Sequence, residues 1–287
     1  MRVRTRAIVA AGVVVAVLAV VGIWLVARQV GGNLRLPVAG RTCTVEADGR
    51  VRLDADQMAN AATIAAIGVQ RKMPERAVVV ALATAYQESG LRNLSSGDRD
   101  SLGLFQQRPS QGWGTKAQIS DPRYATNRFY AALKRVRGWE ELRVTEAAQR
   151  VQRSAFPEAY EKWADESAVL TRALLGEATG AVACSVGSTP VLRGEAATAA
   201  LARGLTLDWG LRETAPPADL TGLAVPAADL RHGWRYAHWL VSHASDNGVK
   251  RVRFAGLEWT ARGGTWSRAT DAPATEEQVL AEVFADA

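Results

Sequence analysis

What this chain of 287 residues lacks narrows its chemistry at once. It carries only 3 histidines and 2 cysteines. His232 and His243 share a helix face, but they are 11 positions apart, about 16 Å along a helix axis, too far to bind one ion together. No HxH or HxxxD pattern supplements them, so no metal site and no cofactor are expected. No stripe of Lys and Arg interleaved with aromatics is present, which excludes a nucleic-acid binder. Internal repeats and low-complexity tracts are also missing. The 35 basic and 29 acidic side chains leave a net charge of only +6, and Arg2, Arg4 and Arg6 supply three of those charges.

Hydrophobic residues make up 48% of the chain, and part of that share sits in one early segment rather than in a core. Ala7 to Ala27 is a run of 21 uncharged, almost wholly apolar residues. As a helix it would extend about 31 Å, the thickness of a bilayer's hydrocarbon. With three arginines before it and only Arg28 just after it, it predicts a single-pass anchor with a cytoplasmic N-terminus, and places everything beyond about residue 28 outside. A cleaved signal peptide is the competing reading, but its apolar region is normally shorter, and no clear small-x-small cleavage site follows.

Cys43 and Cys184 bracket the next block. In an exported protein that placement suggests a disulfide, with two buried free thiols as the alternative. Residues 28–42 carry glycines, a proline and no apolar period, and so form a stalk. Ala55 to Val69 reads as a helix capped by Asp54 or Asp56. Pro74 opens a second helix, apolar on nearly every side up to Ser89 and ended by Gly90. After a polar, glycine-bearing loop between Gly90 and Gly114, Asp121-Pro122 starts another helix, and Thr145 and Pro157 announce two more.

The segment ESGLRNLSSGDRDSLGLFQQRPSQGWGT, residues 88–115, carries the chemistry. Glu88 ends an apolar helix, and a carboxyl among apolar neighbours keeps its proton more readily. Protonating a glycosidic oxygen, a poor leaving group, needs such an acid within hydrogen-bond reach. Glu88, Ser89 and Leu91 are followed by Gly103, Leu104, Phe105 and Gln106, the glutamine 18 positions after the acid. This spacing resembles the soluble lytic transglycosylase and goose-type lysozyme-like family, whose signature runs Glu-Ser, an apolar residue two further on, then Gly-Leu-Met-Gln at the same interval. The QQRPSQGWGT and VQRSAFPEAY runs look like an exported actinobacterial subgroup of it.

By that resemblance Glu88 is the catalytic acid and then base, Gln106 lines the sugar cleft beside Gly103, and Ser101 contacts an N-acetyl group. Phe105 stands where the family has methionine. Trp113, between two glycines, either stacks on a sugar ring or pins the loop to the core. The family's later Tyr-Asn-Ala-Gly segment, whose tyrosine orients the acid, is replaced here by Val151-Gln152-Arg153-Ser154. Tyr160, Tyr86 and Tyr130 are the candidates to take that role at the substrate site, with an ordinary half-buried aromatic at helical spacing as the alternative for each. Asp98 and Asp100 are the nearby candidates for a second carboxylate, and a turn-stabilising role is the blander account of both.

Residues beyond 185 have a different texture: a short alanine-rich helix, a Pro216-Pro217 break, a helix near Asp229 to Asn247, strand-like runs Val249 to Ala255 and Leu257 to Ala261, and a terminal helix from about Thr275. This stretch weakly resembles a small module related to zinc peptidase-like folds, without its metal residues, which implies an accessory role. The expected fold is therefore mainly α. It comprises a basic stub (1–6), a transmembrane helix (7–27), a linker (28–42) and a lysozyme-like domain (43–184), all-helical apart from the loop. A second linker (185–195) and a small α+β domain (196–287) follow. The expected function is cleavage of peptidoglycan glycan strands at the outer face of the membrane. The alternative is a non-catalytic wall-binding or scaffold protein on the same fold.

Overall fold

The computed structural model describes residues 41–187, 189–212, 214, 221–270 and 275–286. Its first element is a hairpin, β1 (Thr42–Glu46) and β2 (Arg50–Asp54). Cys43, Val45, Val51 and Leu53 are buried while their neighbours alternate outward, the period of two that a half-buried strand requires. Asp48 adopts a left-handed φ of 52° just before Gly49, the backbone geometry that tight hairpins favour.

The pairing continues much later in the chain. Strand β3 (Val182–Ser185) runs antiparallel on the other side of β1, giving the order β2-β1-β3. Cys43 and Cys184 face each other in that register and form a disulfide across it. The expectation of a mainly α chain, with a first domain all-helical apart from its loop, is overturned by this sheet and a second one. The fold is mixed α+β with two antiparallel sheets.

Helix α1 (Ala55–Gln70) starts in a capping box in which the Asp54 carboxylate accepts from the Gln57 backbone N–H and the Gln57 side chain accepts from that of Asp54. Helix α2 (Glu75–Ser89) buries Ala77, Val78, Val80 through Ala85, and Tyr86. It is the central helix, packed against α1, α4 (Pro122–Leu133), α5 (Val144–Gln152) and α6 (Ala164–Leu174). Gly90, at φ 63°, ends it in the left-handed cap that glycine adopts without strain. A one-turn helix α3 (Lys116–Ile119) precedes α4, whose N-cap Asp121 is followed by Pro122 at the first helical position. The helix expected at Pro157 begins only at Ala164, after a turn.

The later part of the chain builds the second sheet. Helix α7 (Gly194–Trp209), strand β4 (Gly222–Pro226), helix α8 (Leu230–Ser242) and the short α9 (Ala244–Asn247) lead into β5 (Val249–Phe254), β6 (Leu257–Thr260), β7 (Trp266–Arg268) and β8 (Gln278–Val283). The strand order is β4-β8-β5-β6-β7, with α8 packed on it and also against β3. Gly233 of α8 lets the Phe254 ring approach so closely that a Cβ there would lie 1.9 Å from it. The terminal helix expected from about Thr275 is instead β8. Val279, Ala281 and Val283 alternate into the core, and the strand fills the place between β4 and β5.

The described residues pack as one unit. Helix α1 contacts α7 and α8 as well as the helices around α2, and two indoles join the sheets: Trp259 donates to the Cys184 carbonyl at 3.1 Å and Trp266 to the Val182 carbonyl at 2.7 Å. No helix among the described residues is long and apolar enough to cross a membrane, and the expected anchor at 7–27 lies outside the described residues.

Candidate active site

Glu88 sits half-buried in the last turn of α2. The Tyr160 hydroxyl donates to its Oε1 at 2.7 Å. Tyr160 is fully buried in the turn that leads to α6, and that burial, reinforced by the charge of Glu88, pushes its phenol pKa up; the Ser154 hydroxyl pulls the other way. The phenol is thus a fixed neutral donor, engaging one carboxyl oxygen of Glu88. Tyr86 and Tyr130 are committed elsewhere. Tyr86 stacks on Trp163 at 4.8 Å, and the Tyr130 hydroxyl donates to the Ile64 carbonyl at 3.0 Å.

The next residue joins the helix end to the loop. The Ser89 hydroxyl lies 2.7 Å from the Leu104 carbonyl and 3.0 Å from that of Ala85, and it accepts the Arg92 N–H at 3.2 Å. This contact ties the helix terminus that carries Glu88 to the distant Gly103–Gln106 turn. Gly103 holds φ 78°, where a Cβ would lie 2.7 Å from the Ile119 carbonyl. Gln106 adopts φ 45°, a left-handed conformation that costs a non-glycine residue energy, and its amide donates back to the Gly103 carbonyl at 3.2 Å.

The remaining sequence-selected residues divide between core and loop. Phe105 is fully buried and stacks on Phe129 at 4.7 Å, so what it offers the loop is its carbonyl, which accepts from Gln152 Nε2 at 2.8 Å. Ser101 is buried, its N–H donating to the Asp98 carbonyl at 3.0 Å. Trp113 is half-buried, with its carbonyl accepting from the Tyr124 hydroxyl at 3.2 Å, and it lines an open groove of about 820 Å³.

Asp100 accepts from Arg108 Nε at 2.8 Å, Ser110 N at 2.8 Å and Ser110 Oγ at 3.0 Å, and these bonds, Arg108's first, hold its carboxyl well below the usual range. It is a staple of the loop. Asp98 points outward, 3.8 Å from Arg99. Each histidine has a structural partner: His232 the Asp229 cap, His238 the Ala173 carbonyl and Ala181 N–H, His243 the Trp239 carbonyl and Thr63 hydroxyl. Among the described residues no group of three His, Cys, Asp or Glu is placed to hold a metal ion.

Sequence reasoning left the acid's orienting partner open among three tyrosines and missed the parts played by Ser89, Gln152 and Ser154. The intact Glu-Ser pair was a signal for the first. The other two lie in the segment that departs from the family's pattern. Compared with known proteins, the chain matches no family model and no curated protein.

Proposed function

We propose that this protein is a glycosidase of the lytic transglycosylase or muramidase type, which cleaves the bond between N-acetylmuramic acid and N-acetylglucosamine in peptidoglycan. It acts at the outer face of the membrane, held there by residues 7–27. One observation carries the reading: the 2.7 Å hydrogen bond from buried Tyr160 to Glu88, at the end of a buried helix and beside the Gly103–Gln106 turn. A carboxyl with one oxygen fixed by a neutral donor is oriented for proton transfer from the other.

In the proposed reaction Glu88 gives its proton to the glycosidic oxygen as the bond to the sugar's anomeric carbon breaks. The same sugar's 6-hydroxyl then attacks that carbon, and the Glu88 carboxylate takes up the hydroxyl proton, leaving an anhydro product. Capture of Asp100 by Arg108 and Ser110, and the outward position of Asp98, favour this single-carboxylate route over one with a second carboxylate activating water. The test is zymography on purified wall with the full-length chain and its Glu88→Gln form. Clearing by the parent and none by the variant supports the reading. If neither clears wall that a known muramidase digests, the reading fails.

A further inference from the structure

Five arginines converge on the groove that Trp113 lines. Arg128 comes from α4, Arg135 and Arg137 from the turn after it, Arg150 from α5, and Arg153 from the residue that ends α5 in a left-handed φ of 54°. No aspartate or glutamate is among the groove's lining residues. Among the described residues none of the five forms an ion pair. Arg128 reaches the Gly112 carbonyl at 3.1 Å while its Nε is buried without a partner, and Arg150 lies 3.5 Å from the Arg137 carbonyl. Glu146, one turn back from Arg150 on α5, is hydrogen-bonded to the backbone and side chain of Arg143 and feels the charge of Arg150 only at longer range.

Guanidinium groups stay charged at any pH the protein meets, so five of them around one hollow give it a positive potential that favours an anion. Their forked donors match carboxylates two bonds at a time. At about 820 Å³ the hollow far exceeds the needs of a single small ion and falls in the range of sites that hold a small organic ligand, the size of a few residues of a peptide stem. It is also joined to the acid. Val151, Gln152 and Arg153 line it; Gln152 grips the carbonyl beside Gln106; and the next residue, Ser154, acts on the Tyr160 phenol that holds Glu88.

We infer that this groove binds the carboxylate-bearing peptide stems of the glycan strand, seating them while the sugar backbone lies at Glu88. The inference rests on the glycosidase reading for its choice of polymer. It makes the protein a reader of stem-bearing strands, with bare glycan a poor ligand.

The experiment measures binding, without cleavage, of the full-length Glu88→Gln chain to soluble strands in three forms: stems with free carboxylates, stems amidated at their carboxylates, and glycan stripped of stems. Free-carboxylate strands bind tighter by on the order of tenfold, and added salt erodes the difference. An Arg135→Gln/Arg150→Gln/Arg153→Gln variant, altered only at exposed side chains, loses that preference and keeps its binding to stripped glycan. Equal binding of free and amidated strands overturns the inference without recourse to any arginine variant. So does a preference retained by the triple variant, or tighter binding of a phosphate-bearing wall polymer than of the stems. Wall clearing by the parent is scored separately, so a protein that binds stems but cuts nothing fails only the glycosidase reading, and one that cuts wall while ignoring amidation fails only this one.

Discussion

Asp208, fully buried on α7, accepts a hydrogen bond from Arg123 Nε on α4 at 2.5 Å. The same carboxylate accepts from the Trp239 indole at 2.9 Å and lies 3.3 Å from the Thr63 hydroxyl, which in turn meets His243. One acidic side chain from the later part of the chain thereby fastens α4, α1 and α8 around it. Removing it leaves a guanidinium and an indole without their acceptor. Asp208→Ala is expected to lower the unfolding free energy by about 3–5 kcal/mol. Asp208→Asn keeps an acceptor for the indole and loses less. Urea denaturation followed by tryptophan fluorescence checks both, and equal stability of Asp208→Ala and parent contradicts the network.

Tyr160→Phe tests the orientation of the acid. The ring stays in the core, and only the hydroxyl that holds Glu88 is lost. A hydrogen bond to a charged group contributes about 1.5–3 kcal/mol, so kcat on wall fragments is expected to fall by roughly 10- to 100-fold. KM should hardly move, because the phenol acts through the carboxyl and not on the sugar. A variant whose KM rises while kcat is kept would show that Tyr160 serves the substrate, and not the acid.

The pH dependence of stability follows from His238. Burial pulls its pKa down from 6.5 to about 4, and its ring receives the Ala181 N–H at 2.9 Å while facing the Ala173 carbonyl at 2.8 Å. A neutral imidazole satisfies both partners, whereas a protonated one presents a second N–H to Ala181. The unfolded chain takes up a proton below about pH 6.5 that the folded chain refuses until near pH 4. Stability therefore falls as pH drops through that window, by about 3 kcal/mol in all. His243, also pulled down by burial, adds in the same direction. Denaturation midpoints at pH 7.5, 5.5 and 4.5 should decline more steeply for the parent than for His238→Gln. Parallel slopes would assign the acid sensitivity to other groups.

Helices were legible in the sequence wherever a cap coincided with an apolar period, as at Asp54, Asp121-Pro122 and Gly90. The first sheet was not read, although Asp48-Gly49 between two alternating runs is a hairpin signal. Its strands are only five, five and four residues long, and β3 joins 141 residues after its partner, a pairing that no local pattern announces. Strand β8 misled for the opposite reason: Glu, Gln, Leu and Ala favour a helix locally, and the gap between β4 and β5 overrides that preference. At the site, Glu88 and the Gly103–Gln106 turn were visible because their spacing is linear information. The choice of Tyr160, and the gathering of Arg128, Arg135, Arg137, Arg150 and Arg153 in one groove, exist only once the helices fold together.

The bond between Cys43 and Cys184 closes a ring around the whole stretch that carries Glu88, its tyrosine and the groove. Tension applied between residue 42 and residue 185 runs through two cysteines and bypasses everything between them. A pull on the two ends of this block would load its frame and leave the helices inside it slack.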